Sequence, residues 1–124
     1  MKIGNFDTTE KVLIIAEIGN NHEGDFELAK DMIDAAAEAG ANAVKFQTIT
    51  PSRLVSTREQ ERIRQLQRFS FSRDQFAALK ERADEEKVIF ISTPFDLEAV
   101  DWLNPLVPAF KIASGDNDFW PLLE

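Results

Sequence analysis

The sequence predicts an α/β protein in which parallel strands are joined by right-handed crossovers. Three observations carry that prediction. Short β-branched apolar runs alternate with amphipathic helical stretches, the connections between them are short, and each run ends at or near a polar side chain. An open doubly wound sheet and a (β/α)8 barrel both fit the order. A whole barrel needs roughly 250 residues, so in a barrel the 124 residues present make about half. No linker or internal boundary interrupts them, and residues 1–124 read as one partial domain.

The first strand is "VLIIAEIG", residues 12–19, a continuous apolar run expected to be buried on both faces. Asp25 is placed to cap the helix that follows, Leu28, Met32, Ile33 and Ala36 form one apolar stripe, and Gly40 ends it. "NAVKFQT", residues 42–48, is the second strand. Ser72 and Gln75 then spell a capping box, with Phe71 and Phe76 spaced as a hydrophobic staple, so a helix runs from there to about Lys87. "VIFIST", residues 88–93, is the third strand, and Asp96 caps a short helix through Leu103. "AFKIAS", residues 109–114, is the expected fourth strand, and "FWPLLE" opens a further helix with Pro121 in its first turn. Between the second strand and the capping box, residues 49–71 form one long excursion carrying Arg53, Arg58, Arg62, Arg64 and Arg68. Glu59 and Glu61 partly balance these, which reads as a solvated helix, with an anion-guiding lid as the second reading.

Composition removes several classes of function. A net charge of -8 argues against general nucleic-acid binding, which needs a basic face. Cysteine is absent and His22 is the only histidine, so neither a disulfide framework nor a multi-histidine metal site is available within these residues. No run is long enough to span a bilayer and the first residues lack a signal-peptide core; the expected setting is cytoplasmic, without a membrane partner.

Two lysines need explaining. Alternation along a strand puts Lys45 with Gln47 on one face and Val44 with Phe46 on the other; Lys111 likewise opposes Phe110 and Ile112. Glu17 and Thr93 fall on the corresponding faces of the first and third strands. Four strands therefore bring polar groups to their carboxyl ends, where parallel α/β proteins bind ligands. A buried ammonium needs an anion. Glu17 can neutralise one lysine as a structural pair, but not both, and a dianionic ligand supplies what is missing. Ser92, Thr93, Ser114 and the Gly115 backbone add hydroxyl and N–H donors suited to an oxyanion, although Ser-Thr-Pro alone is usually a helix entry and Ser-Gly a turn. "GNNHEGD", residues 19–25, is a polar loop whose default is solvation.

"IIAEIGNNHEGDFELAKDMIDAAAEAGANAVKFQT", "STPFDLEAVDWL" and "PAFKIASGD" occur in one order that resembles the N-terminal half of the sialic acid synthase family. These synthases make N-acetylneuraminate, legionaminate and related nonulosonic acids. The resemblance implies the N-terminal half of a (β/α)8 TIM-type barrel, about its first four βα units. It implies a transferase that condenses phosphoenolpyruvate with an N-acyl amino sugar of the mannosamine type, releasing phosphate. By motif match, Lys45, Thr93, Lys111 and Ser114 would bind phosphoenolpyruvate, Glu17 would be catalytic, and Gln47 and Asp116 would line the sugar side of the pocket. His22 lies in the family's Asn-His-x-Gly loop and is not expected to do chemistry.

Family members specific for N-acetylneuraminate usually carry Glu after Ser-Gly; Asp116 is one methylene shorter, which points to a nonulosonic relative or a less typical acceptor. The resemblance also implies a divalent metal, manganese or magnesium, whose ligands lie in later barrel strands, a C-terminal antifreeze-like domain, and a homodimer. None of these parts is within the 124 residues, so this chain alone is expected to be inactive. Two alternatives remain. One is another phosphoenolpyruvate-condensing barrel aldolase, which "EIGNNHEG" fits less well. The other is a non-catalytic half-barrel that binds anions or a partner, which turnover with an amino sugar and metal would exclude.

Overall fold

The computed structural model describes residues 1–124. The chain opens with a two-stranded antiparallel hairpin, β1 (Lys2–Ile3) and β2 (Phe6–Asp7), absent from the expectations above. Its sequence signal is Gly4-Asn5 between the strands, with Gly4 at φ +58° as a tight hairpin turn requires. The turn lies against Pro108 and shares a hollow with Val88 and Ile89, at the amino ends of the sheet strands.

The main sheet is parallel, in the order β3 (Ile15–Gly19), β4 (Ala43–Thr48) and β5 (Ile89–Pro94). Helices α1 (Phe26–Glu38) and α4 (Arg73–Glu85) make the two crossovers, with α2 (Pro51–Leu54) and α3 (Gln60–Phe69) inserted before α4. Helix α5 (Leu97–Leu103) follows β5, and α6 (Trp120–Leu123) ends the order after a 3₁₀ turn at Ser114–Asp116. This is the start of a parallel βα barrel. Val44, Phe46 and Phe90 face the helices and pack with Ile33, Phe76, Leu79 and Leu103 into one core. Phe46 and Phe90 stack at 5.4 Å between ring centres, and Phe76 meets Phe90 edge-on at 6.5 Å.

The helix starts follow the capping signals. Asp25 accepts from the Leu28 N–H at 3.0 Å, Asp96 from the Ala99 N–H at 2.9 Å, and the Ser72–Gln75 box closes in both directions. Phe71 and Phe76 meet as the expected staple, 6.3 Å apart. Between α1 and α4, Arg82 grips Asp34 through two bonds of 2.6 Å, a fork that ties the first crossover to the second.

Three expectations are corrected. The first strand is shorter than residues 12–19 and is not buried on both faces: Val12, Ile14 and Ile15 are 79%, 54% and 42% exposed. It is an outer strand paired only to β4, so one edge and much of its inward face have no neighbour. The stripe of α1 holds at Ile33, with Met32 and Ala36 packed against the core, and differs at Leu28. Ala29 and Ile33 are its buried residues, while Leu28 lies off that face and is exposed. The fourth strand is reduced to one bridge, Phe110 to Ser92, plus the Lys111 N–H bonded to the Ser92 carbonyl at 3.2 Å. Residues 109–114 therefore do not form a ladder.

The excursion of residues 49–71 is pinned at both ends. The Ser70 hydroxyl bonds the carbonyls of Leu66 at 2.8 Å and Ile49 at 3.3 Å. Ile63 and Leu66 are buried beneath α3 while its arginines stay exposed. At its far end the Arg68 carbonyl sits against Gly24, whose φ is +88°.

Candidate functional site

A cleft of about 350 Å³ opens at the carboxyl ends of β4 and β5. Lys45, Gln47, Thr93, Lys111, Ser114 and Asp116, six of the seven residues singled out in the sequence, line it. Strand alternation is the cause. Val44 and Phe46 bury themselves under the helices, which turns Lys45 and Gln47 to the opposite face, and Thr93 pairs in register with Gln47. Leu54 from α2 and Phe95 from the β5–α5 loop complete the cleft; sequence reasoning assigned neither. No pattern marks them, because each is one apolar residue in a loop or single helical turn.

Lys45 is 7% exposed. Its ammonium lies 2.9 Å from Glu17 Oε2 and donates to the Thr93 hydroxyl at 3.3 Å. Glu17 stands directly opposite Lys45 in the β3–β4 register, and its side chain is half exposed. The bland pairing considered from the sequence is therefore present, and it involves Lys45. Lys111 differs from expectation. It is exposed, not buried, because the segment carrying it is bridged at one point only, and no carboxylate lies within 4.0 Å of its ammonium. Two ammonium groups and the Asp116 carboxylate thus face one cleft, and of the two lysines only Lys45 has an ion-pair partner, Glu17. Ser114 is exposed and Asp116 half-buried, both on the 3₁₀ turn that borders the cleft.

One further polar side chain is placed by backbone irregularity. A bulge in β3 between Glu17 and Gly19 shifts the register by one residue, so Gly19 pairs with Phe46. Beyond it the Asn20 amide donates to Gln47 Oε1 at 2.9 Å, joining the cleft side of the sheet. Gly19 is required there: its φ is +56°, and a Cβ would lie 3.0 Å from Glu17 Oε1. Ser92, by contrast, does not serve the cleft. It is fully buried in register with Phe46, on the helix side, and its hydroxyl bonds Thr48 at 2.7 Å.

His22 is buried rather than solvated. Its ring stacks on Phe71 at 4.2 Å, and Nδ1 accepts from the Gly24 N–H at 3.0 Å. Burial lowers its pKa below the ordinary 6.5, opposed by the Gly19 carbonyl and the charge of Asp25. The native state therefore binds the His22 proton less well than the unfolded chain. Its neutral form supports the fold fully above 6.5, and stability falls as pH drops below that value. The Thr9 hydrogen bonds to Asp7 and the Arg82 grip on Asp34 hold those carboxyls below 3.8, so they act only in stronger acid. Urea titrations between about pH 7 and about pH 5 are expected to show this decline and to lose it in His22→Gln. An unchanged slope in that variant would remove His22 as its cause.

No three His, Cys, Asp or Glu side chains converge to hold a metal ion. Glu17 and Asp116 are the carboxylates nearest the cleft's chemistry. No helix is long and apolar enough to cross a membrane.

Comparison with known proteins gives a consistent picture. The model of the NeuB family matches residues 32–124. An uncharacterized protein of Methanocaldococcus jannaschii is 45% identical over 116 residues, covering 93% of this chain and 34% of its own. The N,N'-diacetyllegionaminic acid synthase of Campylobacter jejuni is 39% identical over 129 residues, 93% of this chain and 39% of that one. A crystal structure of N-acetylneuraminic acid (sialic acid) synthetase from Leptospira borgpetersenii, in complex with citrate, superposes with a TM-score of 0.86 at 40% identity. It covers 90% of this chain and 39% of that one. The chain thus spans between a third and two fifths of the length of the relatives it matches.

Proposed function

The chain belongs to the NeuB family, and on that premise we propose that it supplies the phosphoenolpyruvate-binding part of a nonulosonic acid synthase. The observation that carries the reading is the pair Lys45 and Lys111, facing one cleft in which Lys111 has no carboxylate within 4.0 Å. Phosphoenolpyruvate brings a phosphate and a carboxylate, one anionic group for each ammonium. Lys111 and the hydroxyls of Thr93 and Ser114 take the phosphate, and Lys45 takes the carboxylate as its bond to Glu17 loosens.

In the reaction proposed, C3 of phosphoenolpyruvate bonds to the aldehyde carbon of an open-chain N-acyl amino sugar. Water adds at C2, and the C2–O bond to phosphate breaks, leaving the 2-keto acid and inorganic phosphate. The aldehyde oxygen, left with the carbonyl electron pair, needs a proton. Glu17, freed from Lys45 and half exposed, orients the water, receives one of its protons and passes it there, while the other leaves with the phosphate. Gln47, held by Asn20, and Asp116 face the sugar hydroxyls. A divalent metal, manganese or magnesium, polarises the aldehyde when bound, with ligands supplied from outside these residues. A homodimer in the cytoplasm is part of the same proposal. The Asp at position 116 favours a nonulosonic relative or a less typical acceptor.

Calorimetric titration with phosphoenolpyruvate is the test. Lys111→Met is expected to lower affinity by about tenfold or more without shifting the urea midpoint, because the side chain is exposed. Equal affinity in parent and variant would remove Lys111 from the site. A parent chain that prefers inorganic phosphate to phosphoenolpyruvate would overturn the functional reading.

A further inference from the structure

One arginine of the excursion behaves unlike the others. Arg58, Arg62, Arg64 and Arg68 make no ion pair, whereas Arg53 on α2 reaches the β5–α5 region. Its Nη2 donates to Glu98 Oε2 at 2.6 Å, and its Nη1 lies 3.4 Å from Asp96 Oδ1. Glu98 holds Arg73 with its other oxygen, also at 2.6 Å. The neighbours in sequence of this network form the apolar walls of the cleft: Leu54 follows Arg53, and Phe95 precedes Asp96.

Asp96 is 8% exposed. Its Oδ1 already caps the Ala99 N–H, and its buried Oδ2 has no hydrogen-bond partner. An unpaired carboxylate oxygen away from water is unfavourable, and a guanidinium offers two parallel N–H groups that match both oxygens of one carboxylate. Arg53 makes only one long contact of that kind, because its other arm is on Glu98.

We propose that Arg53 is a positioning residue that fastens the α2 wall of the cleft to the β5–α5 loop, with buried Asp96 and exposed Glu98 competing for its guanidinium. The Glu98 pair is exposed and therefore worth little. Asp96 is already largely out of water, so its pair is the stronger one, and a ligand packed between Leu54 and Phe95 moves Arg53 toward it. Ligand binding and the Arg53–Asp96 grip then favour each other, drawing Leu54 and Phe95 together over the ligand. Glu98 keeps Arg73 in both arrangements.

The choice of phosphoenolpyruvate as probe rests on the function proposed above, so a ligand-free measurement accompanies it. Hydrogen exchange without ligand is expected to be about tenfold faster at the α2 amides in Arg53→Met, with α1 unchanged. In Glu98→Gln it is expected to be no faster than in the parent. In the titration, Arg53→Met should weaken phosphoenolpyruvate about tenfold, Arg53→Lys less, and Glu98→Gln should tighten it. That opposite sign is what a merely structural network would not give. Weakening by both Arg53→Met and Glu98→Gln, or unchanged α2 exchange in Arg53→Met, overturns the proposal. A parent chain that ignores phosphoenolpyruvate overturns the functional reading, and the exchange result still decides the role of Arg53.

Discussion

Lys45→Met is expected to weaken phosphoenolpyruvate binding by about a hundredfold or more, while moving the unfolding free energy by only about 1 kcal/mol. The two effects separate because of where each charge sits. The Lys45 ammonium is buried beside the cleft, so an anion that reaches it does so with little competing water. Its structural partner Glu17 is half exposed, so removing the lysine leaves no stranded buried carboxylate. Methionine fills the volume of the lysine stem, and the desolvation of the ammonium disappears with it. Calorimetry and urea unfolding on the same variant check both halves. A variant that binds normally would reduce Lys45 to the partner of Glu17. A variant that loses several kcal/mol of stability would show that the ion pair holds the sheet together.

Gly24→Ala is expected to be the most destabilising small substitution in the chain, at about 3 kcal/mol or more. A Cβ at Gly24 would stand 1.9 Å from the Arg68 carbonyl oxygen, which is backbone and cannot swing away. Gly40 provides the comparison. Its φ of +87° matches the +88° of Gly24, yet nothing lies within 4 Å of its Cβ position. Gly40→Ala therefore bears only the left-handed backbone penalty, about 1–2 kcal/mol. Urea midpoints of the two variants measure the difference. Equal losses would mean that the chain relaxes around Gly24, and that the loop after β3 is not locked to α3.

Much of the cleft was legible because alternation and capping are local. Val44 and Phe46 announce a buried face, so Lys45 and Gln47 had to face the other way, and the register with β5 brought Thr93 alongside. Asp25, Ser72 and Asp96 each state a helix start within four residues. What escaped reading depends on neighbours far along the chain or on single backbone irregularities. The β3 bulge that delivers Asn20 to Gln47 has no signature beyond a glycine. The exposure of Lys111 reflects how few bonds residues 109–114 make to β5, which their apolar pattern does not reveal. His22 looked like a loop residue because its partner Phe71 lies across the whole excursion.

In a closed barrel the edge of β3 is paired; a molecule made of these 124 residues alone leaves it bare, and that bears on how such molecules treat one another. Val12, Ile14 and Ile15 present apolar surface beside unpaired backbone groups, a template on which a strand from another molecule can add. Opposing this is the repulsion between bodies that each carry a charge of -8. That repulsion reaches only about 10 Å at 0.1 M salt and shrinks as salt is added, while the apolar edge loses nothing. Colloidal behaviour follows from the contest: dilute buffer keeps the molecules apart, and concentrated salt lets the edges meet.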